Sequence, residues 1–313
     1  MKKLKIVFMG TPEFAVPSFL KIANSDHQII GVVTQPDRPR GRGQTVLPTP
    51  IKQQALKLAG VPVFQPEKLS EPDFIEQLKS LQADIFIVVA FRILPEAVFS
   101  IPPYGTVNLH PSLLPKYRGA APINWTIING EKETGVTIIK ISRQIDGGGM
   151  LAQKKVSVLE NETAGSLHDR LAKIGADLLL QTVDKLANDK ITATPQNDAE
   201  ATPAPKLTKE TCHISFGQPV DKVKNWIHGL SPFPGAYAFL NDEMIKFYEA
   251  RIADENHRFT PPGQIIKVEK GEIQIACNPG VISILELQKQ GKKILKSSEF
   301  LRGFKMQPGD VFC

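Results

Sequence analysis

Two neighbouring stretches decide the fold: Asp84-Ile85-Phe86-Ile87-Val88-Val89-Ala90 and Gly105-Thr106-Val107-Asn108-Leu109-His110. The first is a continuous run of large apolar residues, which is typical of a strand buried in a parallel sheet. The second predicts another strand. Residues two apart on a strand point to the same face, so Asn108 and His110 share one. Both lie near the carboxyl end of a predicted parallel strand, where open α/β sheets place their ligands.

Strands and helices alternate through the first 190 residues. Strands are predicted at residues 6–9, 29–34, 63 and 135–141, with helices at 16–23 and 51–58, and Thr163 is a predicted N-cap for a long amphipathic helix. This alternation of strands and helices predicts an α/β, Rossmann-like, doubly wound sheet. The first turn, Gly10-Thr11-Pro12-Glu13, is not G-x-G-x-x-G, which argues against dinucleotide binding through that fingerprint.

The chain changes character after residue 189. Residues 190–206 hold few large apolar side chains and three prolines, which is a linker composition. Short strands with turn signals follow, beyond a predicted helix at 220–228. They favour a small β-barrel of the oligonucleotide-binding type, with an open β-sandwich as the alternative. We therefore predict a domain at 1–189, a linker at 190–208 and a second domain at 209–313.

Composition limits the partners. The 313 residues carry 38 basic and 32 acidic side chains, a formal charge of +6, which permits an anionic partner. Three scattered cysteines predict free thiols in a reducing compartment and no metal site. No apolar window approaches a membrane span, so we expect a cytoplasmic protein without a membrane partner.

Residues 35–44 form a Gly- and Pro-rich segment that carries Arg38, Arg40 and Arg42 just past a predicted strand. One interpretation is a solvated insertion. The other is an anion-binding arm that becomes ordered on contact with a phosphate backbone.

Asn108, His110 and Asp146 supply an amide, an imidazole and a carboxylate. An amide N–H can hold a developing oxyanion, an imidazole can move protons near neutral pH, and a carboxylate can fix the tautomer of the imidazole. We expect Asp146 to raise the pKa of His110 above its reference of about 6.5. In the alternative, Asn108 is a turn residue and His110 is structural.

The motif Asn-Leu-His-Pro-Ser-Leu-Leu-Pro-Lys-Tyr-Arg-Gly at 108–119, with Asp146-Gly147-Gly148 downstream, resembles the folate-dependent formyltransferases. Further stretches are similar to the members of this family that formylate the α-amine of methionyl initiator tRNA. These stretches are FMGTPEFAVPSFLKI (8–22), QPDRPRGRG (35–43), YRGAAPINWTIINGEKETGVTI (117–138), SPFPGAYAFL (231–240) and LRGFKMQPGD (301–310).

The resemblance implies a cytoplasmic enzyme of translation initiation with 10-formyltetrahydrofolate as formyl donor and no metal; we expect a monomer. Asn108 would bind the formyl oxygen, His110 would manage protons around the tetrahedral intermediate, and Asp146 would orient His110. The folate site would comprise Val89, Phe91, Ile93, Leu94, Ser112, Leu113, Leu114 and Pro115. Binding of tRNA would involve Arg38, Arg40, Arg42, Lys206 and the C-terminal barrel.

Two positions depart from the family pattern. Residues 90–95 are one residue shorter than in many members, with Arg92 in place of a glycine, so we expect a different backbone path on the pterin side. Gly149 stands where an acidic residue is common. Two other functions stay open: formyl transfer to a small amine, such as glycinamide ribonucleotide or an amino sugar nucleotide, and RNA binding without catalysis.

Overall fold

The computed structural model describes residues 2–40 and 45–313. These residues divide into two compact units. Unit 1 comprises Met1–Gly119, Gly135–Val156 and His168–Pro203, and unit 2 comprises Ala120–Thr134, Ser157–Leu167 and Ala204–Cys313.

The first part of the chain alternates strands with helices. In order, its elements are β1 (Lys5–Gly10), α1 (Val16–Ala23), β2 (Gln28–Val33), β3 (Arg38–Arg40), β4 (Thr45–Leu47), α2 (Pro50–Ala55), β5 (Val63–Phe64), α3 (Pro72–Ser80), β6 (Ile85–Val89), α4 (Glu96–Phe99), β7 (Thr106–His110), β8 (Arg118–Gly119), α5 (Pro122–Ile128), β9 (Glu133–Lys140), β10 (Met150–Ser157) and α6 (Ala164–Ala187).

The later part is mainly β. Its elements are β11 (Pro203–Ala204), α7 (Lys209–Cys212), α8 (Val220–Gly229), β12 (Ala236–Leu240), β13 (Glu243–Asp254), β14 (Ile265–Glu269), β15 (Glu272–Ala276), β16 (Val281–Lys289), β17 (Leu295–Lys296) and α9 (Ser297–Gly303).

Unit 1 is built on a seven-stranded sheet of order β10-β9-β7-β6-β1-β2-β5. Strands β7, β6, β1, β2 and β5 pair in parallel, whereas β9 runs antiparallel to β7. All five residues of β6 are buried, as its unbroken apolar run predicts. The predicted α/β sheet is confirmed. Strand β10 was not predicted because half of its eight residues are polar and exposed.

The long helix α6 begins where the sequence indicates. The Thr163 hydroxyl accepts a hydrogen bond from the amide of Ser166 at 3.2 Å, which satisfies one of the free amides of the first turn. The predicted N-cap is therefore confirmed.

Unit 2 contains an antiparallel sheet of order β12-β13-β16-β15-β14, with β17 beside β16. Its core includes Phe216, Ile227, Phe247 and Ile284. The chain end bonds to both edge strands: Phe239 and Cys313 exchange backbone hydrogen bonds of 2.8 and 3.0 Å, and Ile265 donates to Asp310 at 2.8 Å. The C-terminal β unit is confirmed, whereas closure into a barrel stays a prediction.

Within the described residues, no helix is long and apolar enough to cross a membrane. The same part of the chain holds no group of three potential metal ligands. All three cysteines are unpaired, as predicted.

Candidate active site

Strand β7 carries two of the three predicted chemical groups. Asn108 is paired with Val88 of β6 and with Ile139 of β9, so neighbouring strands fix its backbone on both sides. Its side chain lines a cavity, and its amide has no hydrogen-bond partner among the residues that the structure describes. The amide is therefore available to a ligand. His110, two residues further on, is buried.

The imidazole of His110 lies between a carbonyl and a carboxylate. Its Nε2 lies 2.9 Å from the Tyr117 carbonyl oxygen, and its Nδ1 lies 3.7 Å from Oδ1 of Asp146. Because a carbonyl oxygen only accepts hydrogen bonds, Nε2 carries the proton. The neutral ring therefore keeps its lone pair at Nδ1, facing Asp146.

Burial lowers the pKa of His110, and the Coulomb field of Arg118 lowers it further. Asp146 and the Tyr117 carbonyl act in the opposite direction and do not offset burial. The expectation that Asp146 raises this pKa above its reference is wrong, because desolvation of the charged ring outweighs an ion pair with a 3.7 Å separation. His110 is neutral at pH 7 as a result.

Asp146 is held in an unusual conformation. Its φ is 52°, in the left-handed region that non-glycine residues rarely adopt. Its Oδ2 accepts a hydrogen bond of 2.9 Å from the amide of Gly119. A side chain at Gly148 would collide with the Lys140 carbonyl, which explains the glycine of the Asp-x-Gly motif.

Asn108 and Asp146 line the same cavity, of about 280 Å³. Most of its wall is apolar, with several polar groups around it. The lining comprises Val88, Phe91, Arg92, Ile93, Leu94, Glu96, Phe99, Asn108, Ile139, Ile141, Ser142, Arg143, Gln144, Ile145 and Asp146. An apolar wall with a few convergent polar groups is the usual make-up of a small-molecule site.

The structure brings only some of the predicted folate residues to this cavity. Phe91, Ile93 and Leu94 line it, and Val88 lines it where Val89 was predicted. Residues 112–115 are not in the lining. They are tied to the sheet instead: the Thr137 hydroxyl donates to the Ser112 carbonyl at 2.6 Å and accepts from the Leu114 amide at 3.2 Å.

Arg92 belongs to the cavity wall. Its guanidinium donates to the carbonyls of Pro66 and Glu67, both at 2.8 Å. Its Nε is buried and has no partner in the described part of the chain. Ala90, two residues before Arg92, has a φ of 48°. The side chain thus ties the loop at 90–95 to residues 66–67 and leaves one donor unsatisfied.

The arginine-rich segment is a β-hairpin in its described part. Arg38 pairs with Leu47 and Pro39 with Val46, and the backbone of Arg40 lies in the same ladder. Asp37 anchors the base through Lys52 and Gln65. Burial alone would raise the pKa of Asp37, but these hydrogen bonds lower it. Arg42 lies outside the described residues. Lys206 is exposed.

Sequence reasoning missed three contributors to the site: the Tyr117 carbonyl, Gln196 and Thr202. Tyr117 bonds to His110. Gln196 and Thr202 lie in the segment predicted as a linker, and they contact Asp146 and Tyr117, respectively. Each of these bonds has a backbone carbonyl or amide as one partner, and backbone groups leave no trace in residue type, so the sequence holds no signal for these contacts.

Comparison with known proteins identifies the family. The formyl transferase family model matches residues 4–183, and the model of the formyl transferase C-terminal domain matches residues 206–305. The chain belongs to the formyl transferase family. It is 44% identical over 312 residues to the methionyl-tRNA formyltransferase of Citrifermentans bemidjiense, covering 99% of this chain and 97% of that protein. The resemblance seen in the motifs is confirmed.

Solved structures share the fold. The methionyl-tRNA formyltransferase of Clostridium thermocellum aligns with a TM-score of 0.56 and 18% identity, over 80% of this chain and 93% of that one. HypX from Aquifex aeolicus, in complex with tetrahydrofolic acid, aligns with a TM-score of 0.67 and 16% identity. The alignment covers all of this chain and about half (51%) of HypX.

Proposed function

We propose that this protein transfers the formyl group of 10-formyltetrahydrofolate to the α-amine of methionyl initiator tRNA. The observation that carries the proposal is the arrangement at the end of β7. There the neutral His110 presents Nδ1 to Asp146, and Asp146 lines the same cavity as the unpartnered Asn108 amide. Relatives named methionyl-tRNA formyltransferase, similar over nearly the whole chain, support the choice of substrate.

The reaction needs no nucleophilic side chain, because the α-amine of the aminoacyl ester is itself the nucleophile. The folate supplies the formyl carbon and departs through the nitrogen that carried it. The protein must therefore position the amine, stabilise negative charge on the formyl oxygen and move one proton. Asn108 donates a hydrogen bond to that oxygen while its charge develops.

His110 is prepared to accept the proton. In the neutral tautomer its lone pair is at Nδ1, beside Asp146. Once Nδ1 is protonated, the ring carries a positive charge and Asp146 stabilises it. The proton is then available to the departing nitrogen, so the protein returns to its starting state.

The cavity supports folate as the donor. Phe91, Ile93 and Leu94 offer apolar surface to a flat heterocycle, and Arg92 places a cationic side chain in the same wall. Val89 and residues 112–115 do not line this cavity, and we propose that they support its wall from behind rather than contact the folate. The mechanism requires no metal ion, because the amine is itself the nucleophile and Asn108 stabilises the charge on the formyl oxygen.

For the tRNA we propose the hairpin and the later part of the chain. Arg38 and Arg40 lie on the hairpin, whose base is anchored and whose Val46 and Leu47 are exposed, and Arg42 belongs to the same stretch of sequence. Together with Lys206, they supply positive charge for the acceptor end. In this proposal residues 1–189 form the catalytic domain, 190–208 the linker and 209–313 the tRNA-binding domain of a cytoplasmic monomer.

A formyl-transfer assay tests the proposal. Labelled 10-formyltetrahydrofolate is supplied with methionyl initiator tRNA, glycinamide ribonucleotide or an amino sugar nucleotide. We expect kcat/KM for the charged tRNA to exceed the values for both small amines by orders of magnitude. Equal or faster formylation of a small amine would contradict the assignment, and no transfer to any acceptor would remove the catalytic function.

The hairpin is tested by Arg42→Ala and Arg38→Ala. We expect each to lower kcat/KM for the charged tRNA and to spare the affinity for a folate analogue. If the arginine pairs with a phosphate, the log–log salt slope of tRNA binding falls by about 0.7–0.9. Wild-type efficiency and slope in both variants would mean that the hairpin is only a solvated insertion.

A further inference from the structure

Gln196 lies in the segment predicted as a linker, yet its side chain contacts the candidate active site. Its Nε2 donates to the carbonyl oxygens of Asp146 and Gly148, both at 2.7 Å. Its Oε1 accepts from the Arg118 guanidinium, at 2.7 Å from Nη2 and 3.2 Å from Nε. Gln196 is partly buried, whereas the residues on either side are exposed.

These partners fix the orientation of the amide. The amide nitrogen faces two carbonyls, which only accept, and the amide oxygen faces a guanidinium, which only donates. Exchanging the two ends would leave all four partners unmatched. Gln196 therefore bridges Arg118 to the loop that carries Asp146, and no other amide orientation satisfies the contacts.

The bridge acts on a strained position. Asp146 has a φ of 52°, and a conformation of this kind costs on the order of 1–3 kcal/mol unless the surroundings enforce it. The Asp146 side chain is held by the Gly119 amide at 2.9 Å, and its own carbonyl is held by Gln196. Both contacts keep the carboxylate facing Nδ1 of His110.

The same segment also holds the opposite side of the His110 ring. The Thr202 hydroxyl accepts from the Tyr117 amide at 2.9 Å, and the Thr202 carbonyl accepts from the Arg118 amide at 2.9 Å. Tyr117, with a φ of 62°, presents the carbonyl that bonds to Nε2 of His110. Residues 196–202 thus restrain the two groups that define the tautomer and the ion pair of His110.

We propose that Gln196 is a positioning residue for formyl transfer: it holds Asp146 in place through its two hydrogen bonds to the Asp146 and Gly148 carbonyls. This inference rests on the proposed function. It gives the segment between the two predicted domains a direct effect on the rate of the chemical step.

Two substitutions test the donor end and the acceptor end of the Gln196 side-chain amide separately. Gln196→Met has similar length and loses every hydrogen bond. Gln196→Glu keeps an acceptor for Arg118 and loses the donors to residues 146 and 148. We expect both variants to lower kcat roughly 10- to 100-fold, as misplacement by about 1 Å does, with KM for folate and for tRNA nearly unchanged. The control is Glu200→Ala, because Glu200 is exposed in the same segment and contacts Asn197.

A double-mutant cycle with Asp146→Asn distinguishes positioning from general loss of structure. If Gln196 acts through the Asp146 carboxylate, Gln196→Met changes kcat within about twofold in the Asp146→Asn background. Full multiplication of the two effects, or wild-type kcat in Gln196→Glu, would overturn the inference. Thermal unfolding shows that each variant is folded. If the wild-type protein itself fails to formylate charged tRNA, the proposed function is what fails.

Discussion

His110 in unit 1 and His228 in unit 2 are equally buried, yet their surroundings give them different capacities. His110 and His228 expose only 4% and 2% of their surface, respectively, and desolvation lowers both pKa values. For His228 the pKa falls to about 4. Burial by itself therefore makes a neutral imidazole and does not make an active site.

The partners make the difference. His228 Nε2 lies 3.0 Å from the carbonyl oxygen and 3.2 Å from the amide nitrogen of Ala250, and the ammonium of Lys224 opposes protonation. His110 instead has a carboxylate at Nδ1 that can stabilise the charged ring once a proton arrives. A neutral ring beside a carboxylate can take a proton during a reaction, whereas the hydrogen-bond contacts of His228 are with the backbone of Ala250.

The largest expected effect comes from exchanging each histidine for asparagine. His110→Asn removes the proton acceptor, so we expect kcat for formyl transfer to fall by about 10²- to 10⁴-fold. His228→Asn is the matched control and should keep wild-type kcat per folded molecule. A similar loss of kcat in both variants would erase the contrast between the two histidines.

Asn108→Ala removes the free amide beside the cavity. We expect kcat to fall by about 10²- to 10³-fold, because the amide acts on charge present mainly in the transition state. Affinity for a non-reacting folate analogue should hardly change. Should the variant lose analogue binding and keep kcat at saturation, Asn108 would be a ground-state contact only.

Comparing the stability of wild type and a His228 variant at acid pH isolates the contribution of His228. The unfolded state binds a proton with a pKa near 6.5, and the folded state resists it down to about 4. Stability is therefore lost as the pH falls from 6.5 to 4, by about 3 kcal/mol, and the loss levels off below 4. Urea unfolding of wild type and His228→Asn across this window should show a shallower fall in the variant.

The smallest expected change is the shift of the pH profile in Asp146→Asn, which accompanies the loss of kcat in that variant. Asp146 partly offsets the effect of burial on His110, so removing its charge should lower the pKa of His110 further. The part of the kcat–pH profile that reports the titration of His110 then moves to lower pH. The amine substrate titrates alike in both proteins, so the difference between the two profiles isolates His110. Coincident limbs would mean that the residues do not interact.

Sequence patterns predicted the groups with the chemistry and missed those that hold them. The two-residue spacing on β7 placed Asn108 and His110, and the Asp-x-Gly motif placed Asp146. Gln196 and Thr202 lie in a segment of small and Pro-rich composition that predicts a linker. Their contacts run largely through backbone atoms of residues 117, 118, 146 and 148, whose identity the sequence pattern does not constrain. The pKa of His110 was predicted in the wrong direction because the depth of its burial is a property of the folded sheet.

His110 acts as described only if it is neutral at pH 7, with its proton on Nε2 and its lone pair facing Asp146. Nitrogen-15 NMR of histidine-labelled protein measures this directly, with His110→Asn and His228→Asn assigning the two rings. We expect both His110 and His228 to be neutral at pH 7, with His110 as the Nε2–H tautomer. A charged His110 at pH 7, or a neutral ring with its proton on Nδ1, would contradict it.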